Sequence, residues 1–419
     1  MAETKAYIQA SRTGMYEKPK GLLGKYDNTR RLWEDQVTAR FLSPAFGDLA
    51  AETKNRSRGI RILDLGCGSG DGLELMIRVP QSGTDLSRVS TPVLPVEFID
   101  RYIGLDINED LICQAEACHG GKSNVRFVQG DLSDGLPAGI KNEDPFDIYF
   151  AGYGTLSHFH DEQAAQIIAD IAKHAHDEAI FVGDWLGRYA YEWQDLWHNP
   201  VDQEYFMDYR ISYIYPEEER EGVQVSSFPL RLMTRQEVLA VVREAESVSG
   251  AEIAPLNFFD RSVFVGRHTD TGEYNKNCPK LRSAVNSLFE KGCRTNLDSL
   301  IVRYSPAPAL DELNGFFVNF FDTCNNLVQY TGSLLKSADN DTDANIVLPA
   351  SVGQPPESLV QAKNTMCRLV NELRSVSWLD IRANFIEPML GYCLRQLEMD
   401  LQPGAGTGHG LVGVFRIRK

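Results

Sequence analysis

The sequence predicts an α/β protein with a doubly wound, mostly parallel sheet and a helical C-terminal subdomain. Three observations predict this fold. Short β-rich runs alternate with helical runs between residues 60 and 184, an order that forms parallel sheets flanked by helices. These β-rich runs are mostly apolar on both faces, as strands covered by helices must be. After about residue 275, apolar residues recur at helical spacing.

The elements of the sheet follow in order along the chain. The predicted strands are IRILDL (60–65), RYIGLDI (101–107), VRFVQGD (125–131), FDIYFAG (146–152) and AIFVGDW (179–185). The segments GLELMIR, EDLICQAEACHG and DEQAAQIIADIAKHA between them show helical spacing. A helix capped by Thr234 is expected next, and an antiparallel pair of strands within 250–268. Residues 79–99 carry three prolines and no periodicity, which indicates a surface loop.

Changes in composition divide the chain into three expected regions. Residues 1–58 are expected to form an N-terminal helical cap, residues 59–270 the α/β domain, and residues 275–419 a mainly helical domain that ends in a strand. Tryptophan, tyrosine and phenylalanine crowd an expected insertion at 185–230. Two interpretations of these rings stay open, a box around a bound molecule and a small core or subunit interface.

Composition and charge exclude several classes of function. The formal net charge is −16, and a surface this acidic repels nucleic acids and anionic membranes. No run approaches the roughly 20 apolar residues of a membrane helix, and the first residues lack the apolar core of a signal peptide. The eight cysteines include no CxxC pair. We therefore expect a cytoplasmic protein with reduced thiols and no metal site.

The stretch RILDLGCGSGDGLEL (61–75) places four glycines after the first predicted strand. A dinucleotide fingerprint would need a glycine at position 71 or 73, and a phosphate-binding loop would need a lysine, and neither is present. The stretch resembles motif I of the class I S-adenosylmethionine-dependent methyltransferases. In that family this turn lies against the cofactor, and the resemblance assigns to it Asp64, Gly66, Cys67, Gly68 and Gly70.

Three further motifs follow in the family's order, and the resemblance covers about residues 20–268. It implies a seven-stranded Rossmann-like sheet with a reversed last strand, for which NFFDRSVFVGRH is the candidate. It also implies that Asp106 binds the ribose hydroxyls and that Asp131 receives the adenine amino group. The other residues that the resemblance assigns to S-adenosylmethionine are Ile107, Leu132, Ala151, Gly152 and Tyr26, the last of which also suits a simple packing role.

The chemistry that the resemblance implies needs few catalytic groups. Methyl transfer is an in-line displacement, so the enzyme must mainly align the reactants and exclude water. A base is needed only when the acceptor loses a proton. The candidates are His158 and His160 after the fourth strand, Asp184 in the fifth strand, and Tyr153 beside the methionine end. The two histidines could instead bond the backbone near a helix start.

The absence of two motifs narrows the class of molecule that can accept the methyl group. AGYG stands where DNA amino-methylating enzymes carry Asn-Pro-Pro-Tyr, and no Pro-Cys nucleophile occurs. We therefore expect a small-molecule acceptor and no nucleic acid. Homodimerisation through the C-terminal helices or the aromatic insertion is a further hypothesis. The alternatives that remain are a protein methyltransferase, an aminopropyltransferase on the same fold, and a catalytically silent subunit that binds a partner protein.

Overall fold

Alternating strands and helices build a central sheet with helices on both faces in the computed structural model. The structure describes residues 25–55, 58–81, 91–200, 203–215, 217–220, 222, 225–339, 355–376 and 380–419. Part of the predicted cap at 1–58 and of the predicted loop at 79–99 lies outside these residues. The predicted α/β class with a mostly parallel sheet and a helical C-terminal region is confirmed.

The described residues contain nine strands, all joined in one sheet. They are β1 (Ile60–Leu65), β2 (Ile99–Asp106), β3 (Val125–Gln129), β4 (Ile148–Ala151), β5 (Ala179–Gly187), β6 (Phe206–Arg210), β7 (Ser227–Met233), β8 (Glu252–Arg261) and β9 (Gly410–Arg418). Strands β3, β2, β1, β4 and β5 are neighbours in that order and run parallel. Their carboxyl ends therefore meet at one edge, where ligands bind in sheets of this kind.

One helix of the described residues precedes β1, and the others lie between strands, the last four of them between β8 and β9. They are α1 (Asp35–Asn55), α2 (Asp71–Met76), α3 (Glu109–His119), α4 (Ala138–Lys141), α5 (Asp161–His174), α6 (Glu217–Arg220), α7 (Arg235–Ser249), α8 (Leu281–Leu288), α9 (Asp311–Asp339), α10 (Glu357–Leu373) and α11 (Glu387–Leu401). Thr234 caps α7 as predicted, because its side chain accepts the N–H of Glu237 at 3.2 Å while Glu237 accepts the N–H of Thr234 at 2.8 Å.

The last strand of the chain, β9, closes the sheet. It runs antiparallel to β5 over residues 179–186 and antiparallel to β8 along its other edge. Since both neighbours oppose β9, β8 is parallel to β5. The prediction of an antiparallel pair and a reversed last strand within 250–268 is therefore wrong, and the reversed strand is β9. The helical region lies between β8 and β9 in the chain, so the last strand completes the sheet, and the division into three domains stays a prediction.

The remaining two strands form a hairpin over the carboxyl end of β5. β6 pairs with β7 in antiparallel register, and β7 joins β5 only at Leu186 and Gly187. This hairpin comes from the predicted aromatic insertion and raises the number of strands from the expected seven to nine. It covers the edge at which the parallel strands end.

The helical region packs directly on the α/β core. Phe321 of α9 lies 4.8 Å from Tyr191 between ring centroids, and Phe317 lies 5.1 Å from Trp197. The buried Glu398 of α11 accepts hydrogen bonds from the indole of Trp33 at 3.0 Å and from two backbone N–H groups just after β8. Much of the aromatic insertion therefore serves as core between the two regions.

Candidate active site

A cavity of about 330 Å³ opens where the parallel strands end. Its walls come from the glycine turn after β1, the ends of β2 and β5, the loops after β3 and β4, the hairpin, and the junction of β8 with β9. Most of the residues predicted from the sequence line it. These are Gly66, Cys67, Gly68, Asp106, Ile107, Asp131, Leu132, Gly152, Tyr153, His158 and Asp184. Asp64, Gly70, Ala151, Tyr26 and His160 lie outside the lining.

The glycine turn is shaped for close approach of a ligand. Gly66 has a φ of 65°, and a Cβ there would lie 2.5 Å from Oγ1 of Thr155. Gly68 has a φ of 53°, but its nearest neighbour would be Nζ of Lys25 at 3.8 Å. Both conformations favour glycine, and the space above Gly68 stays open towards the cavity. The backbone can therefore touch a bound molecule at this point.

Asp106 holds the glycine turn while keeping room for a ligand. Its Oδ2 accepts the N–H of Gly68 at 2.8 Å, and its Oδ1 accepts the N–H of Asn108 at 2.9 Å. Burial raises the pKa of this carboxyl, and the two backbone donors oppose the shift. A carboxylate has about four acceptor positions, so two remain for hydroxyl donors from the cavity. This geometry suits a pair of ribose hydroxyls.

Asp131 lies at the other side of the cavity, after β3. Its Oδ1 accepts both the side-chain hydroxyl and the N–H of Ser133, at 2.6 and 2.8 Å. These bonds lower the pKa of Asp131, so the group is ionised at neutral pH. Its Oδ2 has no hydrogen bond to a described residue and can accept an amino group. Leu132 is buried beside it and offers an apolar contact for a ring.

Three of the predicted cofactor residues support the turn from behind. Asp64 is buried and accepts the hydroxyl of Tyr102 at 2.5 Å, and burial raises its pKa to about 8. A Cβ at Gly72 would lie 2.2 Å from Oδ2 of Asp64, so that glycine makes room for the carboxyl. Gly70 precedes α2, and Ala151 is fully buried in β4. Direct contact of these residues with the cofactor stays a prediction.

The segment before α1 covers the glycine turn from outside. The Tyr26 hydroxyl bonds to Asp71, at the start of α2, and lies 3.0 Å from Oγ of Ser69. Nζ of Lys25 pairs with Asp71 at 2.7 Å. Lys25 and Arg30 line the cavity, whereas Tyr26 does not. The structure therefore supports the packing interpretation of Tyr26, and the cations beside it were missed in the sequence.

The two histidines after β4 have different positions. His158 lines the cavity, and its ring stacks on Phe228 with centroids 5.5 Å apart. The side chain of His160 is 66% exposed, and its Nδ1 lies 2.6 Å from Oε2 of Glu204. Of these two histidines, only His158 lies at the cavity, so only His158 remains a candidate for the catalytic base.

Tyr153 and Asp184 are brought together at the centre of the cavity. Oδ2 of Asp184 accepts the N–H of Tyr153 at 2.7 Å and pairs with Nη2 of Arg261 at 2.8 Å. Burial raises the pKa of Asp184, and Arg261 opposes the shift. The Tyr153 ring lies 3.6 Å from the guanidinium carbon of Arg30, and burial holds the pKa of its hydroxyl well above the ordinary value. The Tyr153 hydroxyl therefore keeps its proton at neutral pH and does not act as the base.

Sequence reasoning offered the aromatic insertion as a possible part of the far wall of the cavity but missed the rest of that wall. It contains Tyr209 and Tyr213 from the aromatic insertion, Arg261 and Arg267 from the end of β8 onwards, and His409 and Gly410 at the start of β9. Arg267 donates to Glu34 at 3.2 Å and to the hydroxyl of Tyr213 at 3.1 Å. The segment RSVFVGR offered one signal, because its two arginines stand in an apolar run. Arginines that are buried with such a run need acidic partners nearby, which would have indicated a charged site.

Comparisons with known proteins fit this geometry. Residues 56–182 match a family model described as a methyltransferase domain, a segment that runs from just before β1 into β5. No curated protein matches the sequence. Within the described residues, none of the helices combines the length and apolar character that a membrane span needs.

Several solved structures are similar to parts of the chain. An S-adenosylmethionine-dependent methyltransferase from Mesorhizobium loti is 16% identical, with a TM-score of 0.29 over 48% of this chain and 77% of that chain. One from Methanosarcina mazei is 17% identical, with a TM-score of 0.33 over 50% and 86%. An amino pentose methyltransferase from Micromonospora echinaspora, solved with S-adenosylmethionine bound, is 15% identical, with a TM-score of 0.31 over 60% and 91%.

The family match identifies residues 56–182 as a methyltransferase domain, which confirms the resemblance seen in the sequence. S-adenosylmethionine is the cofactor that this identification assigns to the chain. The helical region between β8 and β9 lies outside the match.

Proposed function

We propose that this chain is an S-adenosylmethionine-dependent methyltransferase that acts on a small-molecule acceptor. The observation that carries the proposal is the convergence of the open glycine turn, Asp106 and Asp131 on one cavity. These groups match the backbone, ribose and adenine contacts that the cofactor requires. Tyr209, Arg261 and Arg267 extend the same cavity beyond the cofactor groups, where an acceptor can bind.

Different residues of the chain bind different parts of the cofactor. The backbone at Gly68 lies against its ribose and methionine part, Asp106 accepts the two ribose hydroxyls, and Asp131 accepts the adenine amino group. Ile107 lines the cavity and is 46% exposed, so a bound adenine ring would bury apolar surface that now faces solvent. Lys25 and Arg30 supply positive charge for the methionine carboxylate. The cofactor supplies a methyl group already activated by its sulfonium.

The cover over the cavity and its charge support a small acceptor. The hairpin of β6 and β7 and the segment before α1 both contribute to the lining of the cavity, and a site covered in this way suits a small acceptor better than a folded protein segment or a base of duplex DNA. In the far wall, Arg261 and Arg267 already pair with the carboxylates of Asp184 and Glu34, which leaves fewer acidic groups for a polyamine and argues against aminopropyl transfer. The two arginines favour an acceptor that carries negative or partly negative oxygen atoms.

Calorimetry with S-adenosylhomocysteine, the demethylated product, tests the cofactor site. We expect the Asp106→Ala variant to bind about 100-fold more weakly, because it loses charge-assisted hydrogen bonds to two hydroxyls. Asp100→Ala is the matched control, because Asp100 is exposed at the opposite end of the same strand. Absence of binding to the wild-type chain, or equal affinities of the two variants, would contradict the proposal.

A second measurement separates an enzyme from a silent subunit. The chain is incubated with S-adenosylmethionine labelled in its methyl group and a protein-free extract of small molecules. A labelled small-molecule product supports the proposed reaction. Binding of the cofactor without any labelled product, even when proteins are added, would favour the partner-binding alternative.

A further inference from the structure

A buried histidine and glutamate form a pair at the far wall of the cavity. Nδ1 of His409 lies 2.6 Å from Oε1 of Glu192. The side chains are 7% and 1% exposed, respectively. His409 lines the cavity, whereas Glu192 lies behind it. This pair has no part in the cofactor contacts proposed above.

The position of Glu192 is fixed on every side. Its second oxygen, Oε2, accepts the backbone N–H of His268. Gly266 leaves the space that the carboxyl needs, because a Cβ at that residue would lie 2.2 Å from Cδ of Glu192. Although burial acts to raise the pKa of Glu192, the hydrogen bonds that it accepts from His409 and from the backbone N–H of His268 help to hold that pKa below its ordinary value. Glu192 is therefore ionised and can only accept hydrogen bonds.

This environment determines which nitrogen of His409 carries the proton. Since Glu192 can only accept, Nδ1 of His409 must donate the hydrogen bond, and a neutral ring then has its lone pair on Nε2. Nε2 forms no hydrogen bond with any residue that the structure describes. Burial lowers the pKa of His409, so the ring is neutral at pH 7 and can accept a proton. Nε2 is thus the nitrogen available to a molecule in the cavity.

The reversed strand explains how His409 reaches the cavity. β9 is antiparallel to β5, so its amino end meets the carboxyl end of β5 at the mouth of the parallel strands. The carbonyl of His409 accepts the N–H of Gly187 at 3.1 Å, which anchors the histidine to the end of β5. Four hydrogen bonds from residues 405–407 to the buried Asp260 hold the preceding turn.

We propose that His409 is the general base of the methyl transfer, that Glu192 is its positioning residue, and that the acceptor therefore carries an O–H or N–H group. This inference rests on the proposed function. An oxygen or nitrogen lone pair of the acceptor forms the new bond to the methyl carbon, and the carbon–sulfur bond breaks with its electron pair passing to sulfur. The acceptor proton passes to Nε2, and Glu192 stabilises the imidazolium that forms.

Asp184 is less suited to this role. Its Oδ2 already accepts the N–H of Tyr153 and pairs with Arg261, so protonation would disrupt an ion pair between two buried groups. We assign to Asp184 the positioning of Tyr153 and Arg261. The charged and titratable groups around His409 are Glu192, Asp184, Arg267, Glu34 and the hydroxyl of Tyr209.

Nitrogen-15 NMR of the histidine rings tests the pair without any reaction. The His409 signal is assigned by its loss in His409→Gln. We expect the Nδ1–H tautomer in the wild-type protein, a His409 pKa below the ordinary 6.5, and a further fall of that pKa in Glu192→Gln, which removes the negative charge. An Nε2–H tautomer, or a pKa that Glu192→Gln leaves unchanged, would overturn the proposal.

Transfer from labelled S-adenosylmethionine to the product found in the small-molecule extract tests the catalytic step. We expect His409→Gln to slow transfer about 100- to 10,000-fold at pH 7 and to recover part of the rate at higher pH, where the acceptor ionises by itself. Its affinity for S-adenosylhomocysteine should match that of the wild-type chain. The control is His198→Gln, which changes an exposed histidine.

The outcomes separate this inference from the proposed function. Wild-type rates in His409→Gln, or a loss of rate that is the same at every pH, would refute the role of His409 and leave methyl transfer standing. A wild-type chain that does not bind S-adenosylhomocysteine would instead refute the proposed function. The His409 tautomer and pKa remain measurable in either case.

Discussion

The two halves of the cavity are built in different ways. The half proposed to bind the cofactor, here the cofactor half, consists of short motifs at the ends of consecutive strands: the glycine turn after β1, Asp106 at the end of β2, and Asp131 after β3. The half proposed to bind the acceptor, here the acceptor half, combines Asp184, Tyr209, Arg267 and His409, which come from four separate parts of the chain. The first half depends on local turns, whereas the second depends on how remote strands pair.

The halves also differ in charge. The proposed ligands of the cofactor half are carboxylates, which accept hydrogen bonds from ribose and adenine. In the acceptor half, two arginines line the cavity. Arg261 pairs with Asp184, and Arg267 pairs with Glu34. Within a chain of net charge −16, these buried arginines are a local exception to the surface charge. A difference of this kind teaches that net charge predicts long-range repulsion but not the chemistry of an enclosed site.

The largest expected effect tests whether β9 is an integral part of the core that carries the acceptor half. Phe415 of β9 is fully buried and lies 5.7 Å from Phe181 and 5.5 Å from Phe258 between ring centroids. We expect Phe415→Ala to lower the free energy of unfolding by about 3–5 kcal/mol, the usual cost of deleting a core ring. Urea unfolding followed by circular dichroism measures it.

Arg418→Ala is the control for this strand, because its side chain is 46% exposed. We expect it to change the free energy of unfolding by less than about 1 kcal/mol. If both variants unfold at the wild-type urea concentration, β9 contributes little, and the acceptor half would not depend on the end of the chain.

This contrast explains how much the sequence could predict. Asp106 and Asp131 could be named because the resemblance places an acidic residue at the end of the second strand and another after the third, and both motifs can be read locally in the sequence. His409 was missed because its position depends on β9 pairing with β5, which lies more than 200 residues earlier in the chain. A short apolar strand such as GLVGVFRIR carries no signal for its partner.

The aromatic insertion shows the same limit. Crowded rings at 185–215 indicated either a ligand box or a core, and the structure divides them between the two. Tyr209 and Tyr213 line the cavity, while Tyr191 and Trp197 pack on Phe321 and Phe317 of α9. Composition could not assign each ring, because the assignment depends on a helix more than 100 residues further along the chain.

A smaller effect should distinguish the halves by function. Arg261→Lys keeps the positive charge beside Asp184 but loses the planar fork that can hold an acceptor oxygen. We expect transfer to the labelled product to fall about 10- to 100-fold, with unchanged affinity for S-adenosylhomocysteine. Kinetics and calorimetry on the same preparation measure the two quantities.

Arg243→Lys serves as the control, because it changes an exposed arginine on α7. Weakened cofactor binding in Arg261→Lys would show that the arginine belongs to the cofactor half. An unchanged rate would show that the far wall takes no part in holding the acceptor.

The smallest expected effect belongs to the cofactor half. Asp131 lies in an exposed loop and is proposed to accept one hydrogen bond from the adenine amino group. We expect Asp131→Ala to weaken S-adenosylhomocysteine binding about tenfold, less than Asp106→Ala, because one bond at an exposed site contributes less than two at a half-buried one. Asp134→Ala, in the same loop, is the exposed control. Calorimetry measures the affinities. If Asp131→Ala binds S-adenosylhomocysteine as tightly as Asp134→Ala does, Asp131 does not contact the cofactor. If its affinity falls as far as that of Asp106→Ala, the two carboxylates contribute equally to binding.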